Sequence, residues 1–168
     1  MNVELKDYEE KYLEELAMMM TEFQEFHDAL FGLEFDEIPN DDDSKMLVKE
    51  WIRLERTIKI IEADATIAGF AVFHKDWSIV EIDNLYVKPE LRHNQIATKA
   101  LREIERIATQ ELKVDSVQLS VIPRNKTAFG FYQINGYIDL CELTIRKSFS
   151  DESPRDKSEN VFGHDLNF

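Results

Sequence analysis

Between Tyr8 and Leu30 the apolar residues Tyr12, Leu13, Leu16, Met19, Met20, Phe23, Phe26 and Leu30 recur at three- and four-residue spacing. That period predicts one long helix with a broad buried face, leaving Glu14, Glu15, Glu22, Glu25 and Asp28 largely outside it. The run Met18-Met19-Met20 reads as soft core filler on that helix, with part of an adaptable binding wall as the alternative. A short strand, Val3 to Leu5, is expected before it. Gly32 and the stretch Pro39-Asn40-Asp41-Asp42-Asp43 interrupt the helical pattern. A second helix is predicted over Ser44 to Arg56, with Leu47, Trp51 and Leu54 on one face and Asp43 or Ser44 capping its first turn.

The pattern then changes to runs rich in Ile, Val and Phe. Thr57 to Glu62, Thr66 to Phe73 and Ser78 to Val87 are predicted strands, with turns at Asp64-Ala65 and Lys75-Asp76 and a stop at Pro89. Ile96, Ala100, Leu101, Ile104, Ile107 and Ala108 mark an amphipathic helix over Ile96 to Gln110. Ser116 to Ile122 reads as a strand ended by Pro123, and Lys126 to Ile134 as a short helix closed by Asn135-Gly136. Tyr137 to Lys147 is strand-like again. The polar stretch from Ser148 to Asn160 reads as a loop, and Val161-Phe162 with Leu166-Asn167-Phe168 forms a last apolar patch. Helices first, then three strands compatible with antiparallel pairing, then alternating strands and helices predict an α/β fold: a mixed, mostly antiparallel central sheet flanked by helices. Residues 1–147 are expected to form a single domain. Residues 148–168 are expected to supply a polar segment and a C-terminal patch serving as a final strand or a subunit contact, such as that of a homodimer.

Composition narrows the class. A chain of 168 residues, 43% hydrophobic and with eleven Phe, has the apolar mass for one continuous core and falls outside the disordered class. The single cysteine, Cys141, cannot close an intrachain disulfide, fits a reducing compartment, and is read as a small buried apolar residue. No basic leader opens the sequence, and no apolar run approaches the roughly 20 residues that span a bilayer. The expectation is a cytoplasmic protein with no membrane partner. The net charge of −14 is uneven: residues 1–45 hold fifteen Asp or Glu against three Lys, so −12 lies in that quarter. Such a field is expected either to repel nucleic-acid backbones and attract small cations or to serve solubility alone. His27, His74, His93 and His164 are scattered without metal-ligand spacing, and no metal site is predicted.

The informative segment runs from Glu81 to Thr98, EIDNLYVKPELRHNQIAT, from a strand through a basic turn straight into a helix. A helix start exposes unpaired N–H groups and the positive end of the dipole, and Arg92 adds a charged donor fork, so the joint is a candidate phosphate cradle. In a strand, Glu81 and Asp83 share a face. The segment resembles the acetyl-CoA motif of the GCN5-related N-acetyltransferase (GNAT) superfamily, Arg/Gln-x-x-Gly-x-Gly/Ala, through Arg92, Gln95, Ile96 and Ala97. Its one departure is Gln95 in place of the first glycine. Asn125, Ala128, Tyr132, Gly136 and Tyr137 are similarly in register with the family's second signature, Asn-x-x-Ala-x-x-x-Tyr-x-x-x-Gly-Phe/Tyr.

The resemblance implies the acyl-CoA N-acyltransferase (GNAT) fold and acetyl-CoA as cofactor. By it, backbone groups of Leu85, Tyr86 and Val87 would hold the pantetheine arm. Arg92 and the backbone N–H groups of His93, Asn94, Gln95, Ile96, Ala97 and Thr98 would surround the pyrophosphate; Asn125 would contact the arm, and Ala128 with Phe131 would line its later path. The family splays two parallel strands to admit that arm, here Ser78 to Val87 and Ser116 to Ile122. Tyr132 would protonate the departing sulfur, and Glu81 would take the amine's proton, directly or through water. The implied function is N-acetylation of a primary amine, with a small cationic acceptor such as a polyamine or aminoglycoside favoured by the acidic first quarter. Acetylation of a protein or peptide amine and nonenzymatic acyl-CoA sensing are the alternatives.

Overall fold

Two residues at positive φ, Asp64 (48°) and Ala65 (65°), fold strand β2 (Thr57–Ala63) back on β3 (Thr66–Asp76), the two-residue connection that matches the natural twist of a hairpin. The computed structural model of the chain describes residues 1–31, 40–147, 149 and 156–167. Strand β1 (Val3–Asp7) pairs antiparallel with β2, β3 pairs antiparallel with β4 (Ile79–Val87), and β4 pairs parallel with β5 (Ser116–Leu119). The five-stranded sheet therefore runs β1-β2-β3-β4-β5 and is mixed and mostly antiparallel, as predicted.

Helix α1 (Leu13–Phe31) follows a 3₁₀ turn at Glu10–Tyr12, and α2 spans Asp41–Arg53. Leu16, Met19 and Met20 of α1 and Val48 and Trp51 of α2 pack on Ile58, Ile60, Phe70, Val72 and Tyr86 of the sheet. Phe70 sits among Phe23, Trp51 and Tyr86 at ring-centroid distances of 6.3, 6.1 and 5.6 Å. Burying one such side chain completely contributes about 1.5–3 kcal/mol. The opposite face packs on α3 (Ile96–Arg106), where Ile61, Ala63, Ala68 and Val87 meet Ile96 and Ala100. The sheet, α2, α3 and α1 as far as Glu25 belong to one compact unit, Met1–Glu25 with Glu37–Ser120; a second comprises Phe26–Asp36, with the end of α1, and Val121–Phe168. In the second unit lie α4 (Lys126–Ile134) and an antiparallel hairpin of β6 (Ser158–Val161) and β7 (His164–Asn167). Among the described residues no helix is long and apolar enough to cross a membrane.

Several boundaries depart from the sequence reading. Helix α2 starts earlier because Asn40 caps it, its Oδ1 accepting from the N–H groups of Asp42 (2.9 Å) and Asp43 (3.1 Å). Ser44 instead is fully buried, its hydroxyl 2.9 Å from that of Thr21 on α1. The β3–β4 turn lies at Trp77-Ser78 rather than Lys75-Asp76, since Lys75 and Asp76 still pair with Val80 and Ile79. After Arg106 the helix widens into a π-helical turn, Ile107–Glu111. Tyr137 to Lys147 is not a strand: no ladder forms there among the described residues, and Ile138, Leu140 and Ile145 stay exposed. An alternating pattern makes a strand only where a neighbour takes its backbone groups. Cys141, in the same stretch, is exposed rather than buried for the same reason. Met18 is exposed while Met19 and Met20 are core. Gly32, Glu34, Asp36, Glu37 and Pro39 lie outside the described residues.

Gly69 shows how tightly β3 and β4 approach. A Cβ built there would lie 2.0 Å from the carbonyl oxygen of Tyr86, backbone against backbone, with no side chain to yield. Gly69→Ala is expected to destabilise the fold by at least about 2 kcal/mol through forced strand separation, read as a lower denaturation midpoint in urea.

Candidate cofactor and transfer site

The ladder between β4 and β5 stops at Ile82↔Leu119, and at the same place the pairing of β4 with β3 slips: Phe73 faces Ile82 but Val72 faces Asn84. Asp83 is the extra residue, a β-bulge. Beyond it β4 continues to Val87 with, among the described residues, β3 on one side only. The N–H of Lys88 donates to the carbonyl of Ala68 at 2.9 Å. Two-residue alternation then turns the backbone groups of Tyr86 toward β3 and those of Leu85 and Val87 outward, to the edge β5 has left. The parallel pairing of these two strands is present over Ile79–Ile82, with β5 ending at Leu119 rather than Ile122.

From that edge the chain enters a tight joint. Pro89–Leu91 makes one 3₁₀ turn, and the Nε–H of Arg92 donates to the carbonyl of Val87 at 2.9 Å, setting its guanidinium over the Tyr86 ring, 5.8 Å from the centroid. His93 and Gln95 both stand at positive φ, 64° and 61°. Gln95 is the N-cap residue of α3, yet its side chain caps nothing, so the N–H groups of Ile96, Ala97 and Thr98 open the helix without a side-chain acceptor. The departure at position 95 now has a physical meaning. Glycine suits that site because it takes left-handed φ without strain, and Gln95 adopts the same backbone conformation at a cost of about 1–2 kcal/mol. Outward backbone groups, an uncapped helix start and the small side chain of Ala97 suit a pantetheine arm ending in a pyrophosphate.

Carboxylates of α1 tie down this end of β4. Glu15 pairs with Lys88, and Glu22 accepts from the Tyr86 hydroxyl. Burial, and secondly the hydrogen bond to Glu22, push the Tyr86 hydroxyl far above the ordinary tyrosine range. Glu81 is half-buried and directly opposite His74 of β3. His74 is also Val72's successor but one, so Glu81 projects to the face covered by α1 and α2. His74 and Arg56 both contact Asp83, at 3.0 and 3.6 Å. Period-two reading placed Glu81 and Asp83 together but could not show their partners, since Arg56 and His74 are brought in by register and by the bulge. Among the described residues no cluster of three His, Cys, Asp or Glu could hold a metal.

In the second unit, the signature from Asn125 to Tyr137 is one short helix from cap to cap. Asn125 Oδ1 accepts from the N–H of Ala128 at 3.0 Å, leaving Nδ2 as the donor it can offer a ligand. Gly136, at φ 96°, ends α4: its N–H bonds the carbonyl of Gln133 and that of Tyr137 bonds the carbonyl of Tyr132, at 3.0 and 3.1 Å. This Schellman closure brings the Tyr137 ring to 5.7 Å from Tyr132, while Phe131 flanks it at 5.1 Å. Burial pushes the Tyr132 hydroxyl up to about 12, so at neutral pH it keeps its proton.

Residues 16–137 match the model of the acetyltransferase (GNAT) family. A spermidine N(1)-acetyltransferase of Thermoplasma acidophilum is 30% identical over 95 residues, 54% of this chain and 58% of that protein; the chain thus spans little more than half the length of this curated relative. The crystal structure of the PaiA N-acetyltransferase from Thermoplasma acidophilum in complex with coenzyme A superposes with a TM-score of 0.67 at 24% identity, over 99% of this chain and 97% of that one. An aminoglycoside N-acetyltransferase in complex with CoA superposes with a TM-score of 0.68 at 14% identity, over 89% and 96%.

Gln95→Gly should release the left-handed strain while adding unfolded-state freedom, for a net gain of about 1 kcal/mol or less. Gln95→Ala keeps the strain and should bring none. Thermal denaturation of the two variants side by side separates them.

Proposed function

The chain belongs to the acetyltransferase (GNAT) family, and we propose that it transfers the acetyl group of acetyl-CoA to a primary amine of a small cationic acceptor, a polyamine or an aminoglycoside. The observation that carries this reading is the edge of β4 opened by the Asp83 bulge and running directly into the uncapped start of α3. Spermidine and aminoglycosides, the substrates named for two of the similar proteins, are both polycations, and −12 of this chain's charge lies in residues 1–45.

Each residue has a definite task in this reading. The outward backbone groups of Leu85 and Val87, with Tyr86 between them, hold the pantetheine arm. Arg92 and the backbone from His93 through Asn94, Gln95, Ile96 and Ala97 to Thr98 take the pyrophosphate. Asn125, Ala128 and Phe131 line the arm's later path. The bound cofactor supplies an activated acetyl thioester. Glu81 draws in the acceptor's ammonium and removes its proton, directly or through water, so that a neutral amine attacks. Tyr132 gives a proton to the departing sulfur.

The direct test is formation of free CoA and acetylated product across polyamines, aminoglycosides, amino acids and peptides. Turnover is expected with a polycation, and acetyl-CoA at 100 times its Kd should stabilise the fold by about 2.7 kcal/mol. Tight acetyl-CoA binding without turnover of any amine would leave a sensor instead.

Tyr132→Phe should lower kcat about 100-fold or more with acetyl-CoA affinity unchanged. The same variant has a stability signature. Tyr132 is raised from 10.0 to about 12 in the fold, so its contribution is complete below pH 10 and is lost as pH rises through about 12. Replacement by Phe should flatten the fall in melting temperature over that window.

Asp41, Asp42 and Asp43 form the first turn of α2, on the sheet face to which Glu81 projects. Changing all three to Asn should raise KM for a cationic acceptor below about 0.1 M salt, with KM for acetyl-CoA unchanged. Equal acceptor KM at low salt would remove the steering role alone.

A further inference from the structure

Every turnover leaves on Glu81 a proton that must depart before the next ammonium is bound. Directly across the sheet from Glu81 stands His74. Opposed residues of an antiparallel pair project to one face with Cβ atoms about 4.5–5.5 Å apart. Asp83, two residues on from Glu81, lies on that face as well, with its Oδ2 3.0 Å from His74 Nδ1. A carboxylate can only accept, so the imidazole proton sits on Nδ1 and Nε2 is the basic nitrogen. Arg56 Nε lies 3.6 Å from the same Asp83 oxygen. Its place is fixed by the end of α2: Glu55 turns left-handed at φ 55°, and the N–H of Arg56 bonds the carbonyl of Trp51 at 2.9 Å. The three side chains are between 22% and 25% exposed, shielded yet within reach of water. Among the described residues, Arg56, Glu81 and Asp83 are the charged groups that register and contact set against His74.

We propose that His74, oriented by Asp83, is the proton-relay residue of the acceptor site, its Nε2 taking the proton from Glu81 and releasing it to water. The inference rests on the acetyl-transfer reading above. One proton passes from the ammonium to Glu81, and the freed lone pair forms the carbon–nitrogen bond. The carbon–sulfur bond breaks with its electron pair on sulfur, which takes a proton from Tyr132. The remaining excess proton on the new amide nitrogen restores Tyr132, so one proton per turnover leaves through His74. A mere structural pin for the bulge would use the same hydrogen bond, and the two roles differ in what restores activity.

The experiment measures acetylated amine, not CoA release, because imidazole itself accepts acetyl groups. His74→Ala should lose at least about 10-fold in kcat, general acid–base groups being worth about 100-fold or more, with acetyl-CoA affinity unchanged. Millimolar imidazole should restore much of that rate, in proportion to its neutral form as pH is varied. The pair Glu81→Gln with His74→Gln should be no slower than the slower single variant, as expected of groups acting in series. Undiminished kcat in His74→Ala, or a loss that imidazole does not relieve, overturns the relay. Should His74→Ala fail to fold, Asp83→Asn decides: it should lower kcat and shift the acidic limb of the pH profile, and an unchanged profile overturns the relay. A wild-type protein inert toward every amine would remove the acetyl-transfer reading, and the relay with it; an active wild type with an equally active variant removes the relay alone.

Discussion

A strand cannot keep two neighbours in register through an extra residue on one side, and Asp83 is that residue in β4. The parallel ladder to β5 ends beside it, so Leu85 and Val87 offer backbone groups to something other than the sheet. Asp83, which strand alternation sets on the face of Glu81, meets His74 there at 3.0 Å. One stretch of β4 therefore carries both a backbone edge that β5 leaves and a cluster of titratable side chains. Bulges commonly end pairing or re-aim a side chain, and here the parallel ladder ends beside one.

The region after β4 depends on the bulge and is held from several directions. Arg92 grips the carbonyl of Val87 and lies over Tyr86, whose hydroxyl is held by Glu22, while Glu15 holds Lys88. Part of the acidic excess of the first quarter is thus spent on placing β4 and the turn after it rather than on solvation. The joint tolerates two non-glycine residues in left-handed conformation, His93 and Gln95. Strain of that kind persists only where the surroundings over-determine the backbone, and these anchors are the surroundings. Gln95 stands where the family motif has its first glycine, and its backbone takes the left-handed conformation that glycine readily adopts.

Much of this was legible in the chain itself. The spacing from Asn125 to Tyr137 is that of a helix with its N-cap and C-cap attached, and α4 runs from Lys126 to Ile134 as the sequence predicts. The apolar periods of α1 and α3 and the hairpin at Asp64-Ala65 follow from rules whose partners lie within a few residues. Where the reading failed, the missing partner was distant or absent. Tyr137 to Lys147 has a strand's alternation without a ladder, and Cys141 shares its exposure.

The sequence by itself determined the order and kind of most elements, the strand-to-helix joint after β4 and the membership of a family, because each is written in local period, capping chemistry or ordered motif. Only the tertiary structure decided the bulge at Asp83, the end of the β4–β5 ladder, the pairing of Glu81 with His74 across two strands, and the arrival of Arg56 at Asp83. Those depend on register, and register is set by packing the buried faces of β3 and β4 under Phe70 and Tyr86 and by the backbone approach at Gly69. A one-residue shift in that packing leaves every local pattern intact and moves every one of these contacts.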